Sequence, residues 1–261
     1  MRNHLIIFFS ILSLSLSSVN SLGAAPVKNS GYFVLRVYHF SAAAQQASID
    51  SFLRLQLLPY LHRSKLNHIG VFNAIANDTS ADKKIYVFIP FNNLQQWETV
   101  HSGAIENGMT GDGGYANAAY NNPAYSRFET VLLKAFPLMP PIVPSKLSSP
   151  KSDRVYELRS YEGPSEKFFR NKVKMFNEGG EIPLFNRLGF NGVFYGEVMF
   201  GSKMPNLMYM TSFENMKSRE EHWEAFRNDP EWKTLSGKQE YQHNVSHIDI
   251  TFLRPTEYSE L

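Results

Sequence analysis

The chain has 261 residues, 43% of them hydrophobic, 14% aromatic and 19% charged, which excludes disorder as its main state and supplies one large core or two modest ones. Lys plus Arg number 26 and Asp plus Glu 24, and the net +2 is too small a footprint for nucleic acid or an anionic membrane surface. With no cysteine, the chain makes no disulfide, thiolate nucleophile, zinc ribbon or iron–sulfur cluster.

At the start, Arg2 and His4 precede the apolar run from Leu5 to Val19, which at 15 residues falls short of a membrane span of about 20. Small residues follow around Gly23 and Ala24, ahead of Pro26. Residues 1–24 therefore read as a signal peptide, and the mature protein is expected in the periplasm or outside the cell, with no membrane attachment after cleavage.

The rest of the chain contains one unit twice. Leu35-Arg36-Val37-Tyr38 answers Leu158-Arg159-Ser160-Tyr161, Gly70-Val71-Phe72 answers Gly192-Val193-Phe194, and Phe91-Asn92-Asn93-Leu94 answers Phe213-Glu214-Asn215-Met216, all at offsets of 122 to 123. The register then slips, which places an insertion in the first copy, in a loop from Ser102 to Asn117. Between the copies the stretch from Pro137 to Pro150 holds five of the fourteen prolines and reads as an extended connector. The expected domains are residues 31–137, a linker at 138–153, and residues 154–255.

In the second copy Arg154 to Tyr161 alternates as a strand. Ser165 to Leu188 is helical in character, with a break or kink expected at Gly179-Gly180 and Pro183. Asn191 to Phe200 and Asn206 to Phe213 read as a hairpin around Gly201–Pro205, and Met216 to Phe226 resumes helical spacing with Met216, Trp223 and Phe226 as its core stripe. Asp229-Pro230 has the chemistry of a cap followed by proline at the first helical position, and Ser246 to Leu253 closes the unit as a strand. The order βαββαβ is that of a ferredoxin-like unit. Such a unit leaves one sheet face open, so two linked copies are expected to pack sheet to sheet as an intrachain α+β barrel.

The stretch Val155-Tyr156-Glu157-Leu158-Arg159-Ser160-Tyr161, then Leu188-Gly189-Phe190 with Gly192, Gly196 and Gly201, then Met208-Tyr209-Met210, Arg219-Glu220-Glu221-His222-Trp223 and Asp229-Pro230-Glu231-Trp232, resembles the NIPSNAP domain over roughly residues 154–254. The first copy departs from it, with Val34 in place of Glu157 and Ala124-Tyr125 in place of Glu231-Trp232. The resemblance implies the dimeric α+β barrel superfamily, which also includes cofactor-free monooxygenases, haem degraders, chlorite dismutases and dye-decolorising peroxidases. It implies no catalytic residues.

Alternation places Glu157, Arg159 and Tyr161 on one face of their strand and Tyr156, Leu158 and Ser160 on the other. If the second set faces the helices, the first lines the barrel interior. There Arg159 would anchor an anionic or phenolic ligand, with Arg36 matching it in the first copy and Tyr195, Met208 and Met210 nearby. The competing reading is a structural ion pair that satisfies a buried arginine. His247, Asp249 and Thr251 share a strand face, so His247 is a further candidate ligand-binding residue, and in a haem protein it would be the proximal ligand. His243 and His247 do not share a helix, so no metal site is expected. The glycines of Gly108–Gly114 lack the Lys-Ser/Thr ending of a phosphate loop and read as a surface loop. Asn77-Asp78-Thr79 and Asn244-Val245-Ser246 match the glycosylation pattern. Three function classes stay open: a ligand-binding protein or cofactor-free enzyme with its site inside the barrel, a haem-binding two-repeat oxidoreductase, and a non-catalytic interaction module. No resident cofactor is expected in the first, and a homodimer is compatible with all three.

Overall fold

The computed structural model describes residues 31–106 and 114–261; residues 1–24, expected to be a signal peptide, and residues 108–113 of the glycine-rich stretch lie outside the described residues. Eight strands close into one antiparallel barrel: β1 (Tyr32–Phe40), β2 (Gly70–Ala74), β3 (Lys83–Phe91), β4 (Arg127–Ala135), β5 (Val155–Glu162), β6 (Asn191–Phe200), β7 (Asn206–Phe213) and β8 (His247–Pro255). Their order around the barrel is β1-β3-β2-β8-β5-β7-β6-β4. The first four strands thus run β4-β1-β3-β2 and the last four β8-β5-β7-β6, the same order in each half. Two seams join the halves. At one, Phe72, Asn73 and Ala74 of β2 pair with Pro255, Arg254 and Leu253 of β8. At the other, β4 pairs with β6 through a bulge between Leu132 and Leu133, and Gly196 allows a close approach there, since a Cβ would stand 3.0 Å from the Lys134 carbonyl oxygen.

Helices cover the outside. In the first half α1 (Ala43–Phe52) passes through a π-helical stretch, Leu53–Leu57, into α2 (Leu58–Arg63), and α3 (Leu94–Glu106) follows β3. The expected insertion loop therefore begins five residues late, because Ser102 to Glu106 continue this helix. In the second half α4 (Glu166–Asn177) and α5 (Glu181–Arg187) are separated at Gly179-Gly180, where Gly180 has φ +92°. Pro183 does not break α5, since it sits in the first turn, where no amide donor is needed. After α6 (Met216–Asn228), the Asp229 carboxylate accepts from the amides of Glu231 and Trp232 and starts α7 (Pro230–Gly237). Trp223 and Phe226 are buried as expected, but Met216, in the first turn of α6, is exposed. No helix among the described residues is long and apolar enough to cross a membrane.

Register fixes which side chains enter the barrel, because directly opposed residues of antiparallel neighbours share a face. Three rows on β3, β1 and β4 face inward: Lys84, His39 and Arg127; Tyr86, Val37 and Glu129; Phe88, Leu35 and Val131. Facing them from β8, β5 and β7 are Asp249, Ser160 and Met208, then Thr251, Leu158 and Met210. The lower barrel is filled by packed rings, with Phe33, Phe88 and Phe194 centred 4.9 to 5.7 Å apart. The upper end remains open.

Candidate functional site

The open end holds a cavity of about 320 Å³ between the two half-sheets. Its floor is apolar, from Leu35, Val37, Val131, Leu158 and Met208; its rim is polar, from His39, Lys84, Arg127, Glu129, Lys203 and Asp249. That gradient follows from register, since each inner row one step nearer the strand ends exchanges aliphatic for titratable side chains.

His39 is the buried member of the rim at 3% exposure. Its Nδ1 contacts both Asp82 carboxylate oxygens, at 2.9 and 3.0 Å. Glu129 Oε1 stands 3.2 Å from Nε2, which is itself buried and makes no hydrogen bond among the described residues. Burial pushes the Asp82 carboxyl up, yet the His39 hydrogen bond and the charges of His39, Lys84 and Arg127 hold it below its ordinary value. Lys84 Nζ and Arg127 Nη2 each lie 3.7 Å from Asp82 Oδ2. Burial pushes the Tyr86 hydroxyl up to about 12, so it stays protonated. The His39 imidazole is thus held between Asp82 and Glu129, with Lys84 and Arg127 paired to Asp82 and Arg127 also 3.7 Å from Glu129, and an apolar floor beneath such a mixed-charge rim can take a small molecule with a polar end.

The predicted site residues lie elsewhere. Tyr156, Leu158 and Ser160 face the lumen, and Glu157, Arg159 and Tyr161 point outward beneath the helices, the reverse of the expected parity. Glu157 is fully buried and accepts from Arg159 Nη1 at 2.8 Å, Arg219 Nε at 2.8 Å, Arg219 Nη2 at 2.9 Å and Trp223 Nε1 at 2.7 Å. Arg159 also stacks over the Trp223 ring at 4.4 Å. This is the structural ion pair, extended by a second arginine and an indole. Tyr161 hydrogen-bonds Tyr209 at 2.9 Å, and burial raises both hydroxyls. Tyr195 is outward too, stacked on Tyr209 and Phe185. Arg36 repeats the geometry of Arg159 without a carboxylate, its guanidinium 4.8 Å over Phe128. Met208 and Met210 do face inward as expected.

His247 stands above the rim with its side chain 58% exposed and Nε2 3.1 Å from Asp249 Oδ1. It is not on an apolar wall and does not suit an axial haem ligand. Glu162, His247 and Asp249 place one ligand atom each within 4.8 Å of one another, a grouping the sequence reading did not anticipate. Lys203 already pairs with both Asp249 and Glu162 there. Neither glycosylation motif presents a free asparagine: Asn244 is buried, and Asn77 brackets the start of β3 through the Lys84 backbone.

Sequence reasoning missed two other features. Lys172 of α4 and Glu181 of α5 form a buried 2.8 Å ion pair that clips the two helices together across Gly179-Gly180. His39 was legible in part, because it continues the inward face of Leu35 and Val37; Asp82 comes from a loop 43 residues away, and nothing local marks that pairing.

Residues 156–260 match the NIPSNAP family model. No curated protein matches the chain in sequence. Among solved structures, a candidate monooxygenase from Fusobacterium nucleatum subsp. nucleatum superposes with a TM-score of 0.60 at 7% identity, covering 89% of this chain and 96% of its own. One from Lactobacillus acidophilus gives 0.54 at 12% identity, with 87% and 94% covered. A NIPSNAP family protein from Agrobacterium tumefaciens gives 0.37 at 20% identity, with 41% of this chain and 98% of its own covered. The two whole-chain likenesses show a shared barrel fold.

Proposed function

Starting from a chain whose residues 156–260 are a NIPSNAP domain, we propose that it is an exported protein that binds a small, partly aromatic, anionic molecule in the barrel mouth between the two half-sheets. One observation carries this reading: the mouth grades from an aliphatic floor to a polar rim in which Lys84, Arg127, Lys203 and the buried His39 stand among Glu129 and Asp249. The matching strand order of the halves supports reading them as tandem ferredoxin-like repeats, which puts the site at their junction. The test is titration with 8-anilinonaphthalene-1-sulfonate, an aromatic anion. Saturable fluorescence enhancement that Met208→Trp abolishes, by filling the cavity, is the expected result. Enhancement unchanged by Met208→Trp would overturn it. Export rests on residues 1–24, and the mature chain is expected to begin near Ala24 or Ala25; N-terminal sequencing that finds Met1 removes this part.

A second reading is oxidation of an activated CH₂ group of the bound molecule by dioxygen to a carbonyl and water, over the apolar floor of the same cavity. The fold likeness to candidate monooxygenases agrees with it and carries no weight on substrate.

A further inference from the structure

We propose that the molecule held in the barrel mouth carries an aliphatic tail, which leaves the lumen sideways between β3 and β8 and lies in an apolar groove on the outside of the barrel; this rests on the small-molecule reading above. The barrel wall has a gap there. β2 ends at Ala74 and pairs with β8 only at Leu253, Arg254 and Pro255. From His247 to Phe252, β8 therefore has β5 on one side and no strand among the described residues on the other. The chain after Ala74 turns into a 3₁₀ helix, Ile75–Asp78, and is tied to β3 instead of β8. Asn77 Oδ1 accepts from the Lys84 amide at 2.7 Å, and Asn77 Nδ2 donates to the Lys84 carbonyl at 2.9 Å.

A cavity of about 390 Å³ occupies the gap. It shares Lys84, Tyr86, Ile250 and Thr251 with the mouth cavity of about 320 Å³, so the two meet at the wall. Tyr86, one inner row below Lys84 and 7% exposed, forms the sill between them. On the outer side the lining is apolar, from Ala74, Ile75, Ala76, Ile250 and Phe252. The polar groups at its inner end are already engaged by the protein: Lys84 Nζ lies 3.7 Å from Asp82 Oδ2, Ser80 Oγ donates to the Asp82 carbonyl at 2.8 Å, and Asn77 is spent on the Lys84 backbone. They ask nothing of a ligand, and the groove offers methylene groups only a place out of water. The mixed-charge rim keeps the polar end of the same molecule at the mouth.

The probes are 4-alkylbenzoates with methyl, butyl, hexyl and octyl tails, titrated into the full protein by displacement of 8-anilinonaphthalene-1-sulfonate. Affinity is expected to rise about fourfold for each added methylene up to octyl, the gain for moving one CH₂ out of water. Ile250→Gln and Ile75→Gln, each placing an amide in the groove, should flatten the series beyond butyl and leave 4-methylbenzoate unchanged. Ile248→Gln should change nothing: Ile248 is 43% exposed like Ile250 and lies on the same strand face, but outside the groove. Thermal unfolding identifies a variant that fails to fold, and either groove variant alone decides the matter. A wild-type series that stops rising at butyl overturns the inference and leaves the small-molecule reading standing. So does a full slope in a folded Ile250→Gln or Ile75→Gln, or equal flattening in Ile248→Gln. Failure of 8-anilinonaphthalene-1-sulfonate and every benzoate to bind overturns that reading and the inference with it.

Discussion

A carboxylate with no solvent contact must be neutralised by its neighbours, and Glu157 is held by two guanidinium groups and an indole N–H. Removing it leaves the largely buried Arg159 without its carboxylate and takes one of two from Arg219, which keeps Glu220 at 2.7 Å. Glu157→Ala is therefore expected to cost about 3–5 kcal/mol in chemical denaturation, the usual penalty for breaking a buried pair. Because Glu157 faces the helices and not the lumen, 8-anilinonaphthalene-1-sulfonate binding should be unaffected in the fraction that is folded. A variant of native stability that no longer bound the probe would return Glu157 to a ligand-binding role. In the first half Val34 occupies the matching position, buried among aliphatic neighbours, and Arg36 rests on an aromatic ring. The same backbone thus tolerates an ionic or an apolar solution at one position.

At the scale of the element, β5 explains why the sequence misled about its own orientation. Parity is a clean signal only when one face is wet. Here one face meets the barrel lumen and the other the helices, so six of the eight residues of β5 are buried and either face could have been the inner one. Elements ended by local chemistry were legible: Asp229-Pro230 caps α7, and Gly179-Gly180 separates α4 from α5, because capping and positive φ depend on neighbours in sequence. The Asp82–His39 contact and the Arg219–Glu157 contact depend on folding and left no such mark. The connector between the halves supplies a test. The Glu214 carboxylate accepts from the amides of Ser148 and Ser149 at 2.9 and 2.7 Å, and these bonds hold its pKa at about 2 against an ordinary value of 4.5. A depressed carboxylate stabilises the fold fully above its unfolded value, and that contribution is lost as pH falls through the folded one. Wild type should lose thermal stability between about pH 4.5 and 2, and Glu214→Gln, which starts lower, should lose less over the same window. Identical acid sensitivity of the two proteins would show that the connector is not held this way.

At the scale of the whole molecule, each half alone would have two bare strand edges and an apolar sheet face. The barrel removes both problems, since β2·β8 and β4·β6 pair every edge and the inner faces cover one another. The chain's last residues reinforce one seam: Thr256 and Glu260 donate backbone N–H bonds to Val71 and Ile69 at 2.9 and 3.0 Å, and Leu261 is buried. Residues 151–261 expressed alone would lose these partners and expose Tyr156, Leu158, Phe194, Met210 and Leu253, all buried in the intact chain. The exposed edges would then be β6 and β8, and a two-fold arrangement that pairs β6 of one copy with β8 of the other closes a barrel from two identical units. The fragment is therefore expected to run as a dimer, or to aggregate where that register fails, in size-exclusion chromatography with light scattering. A monodisperse monomer at high concentration would mean that the second half covers its own sheet face, and the intrachain barrel would then not be what stabilises it.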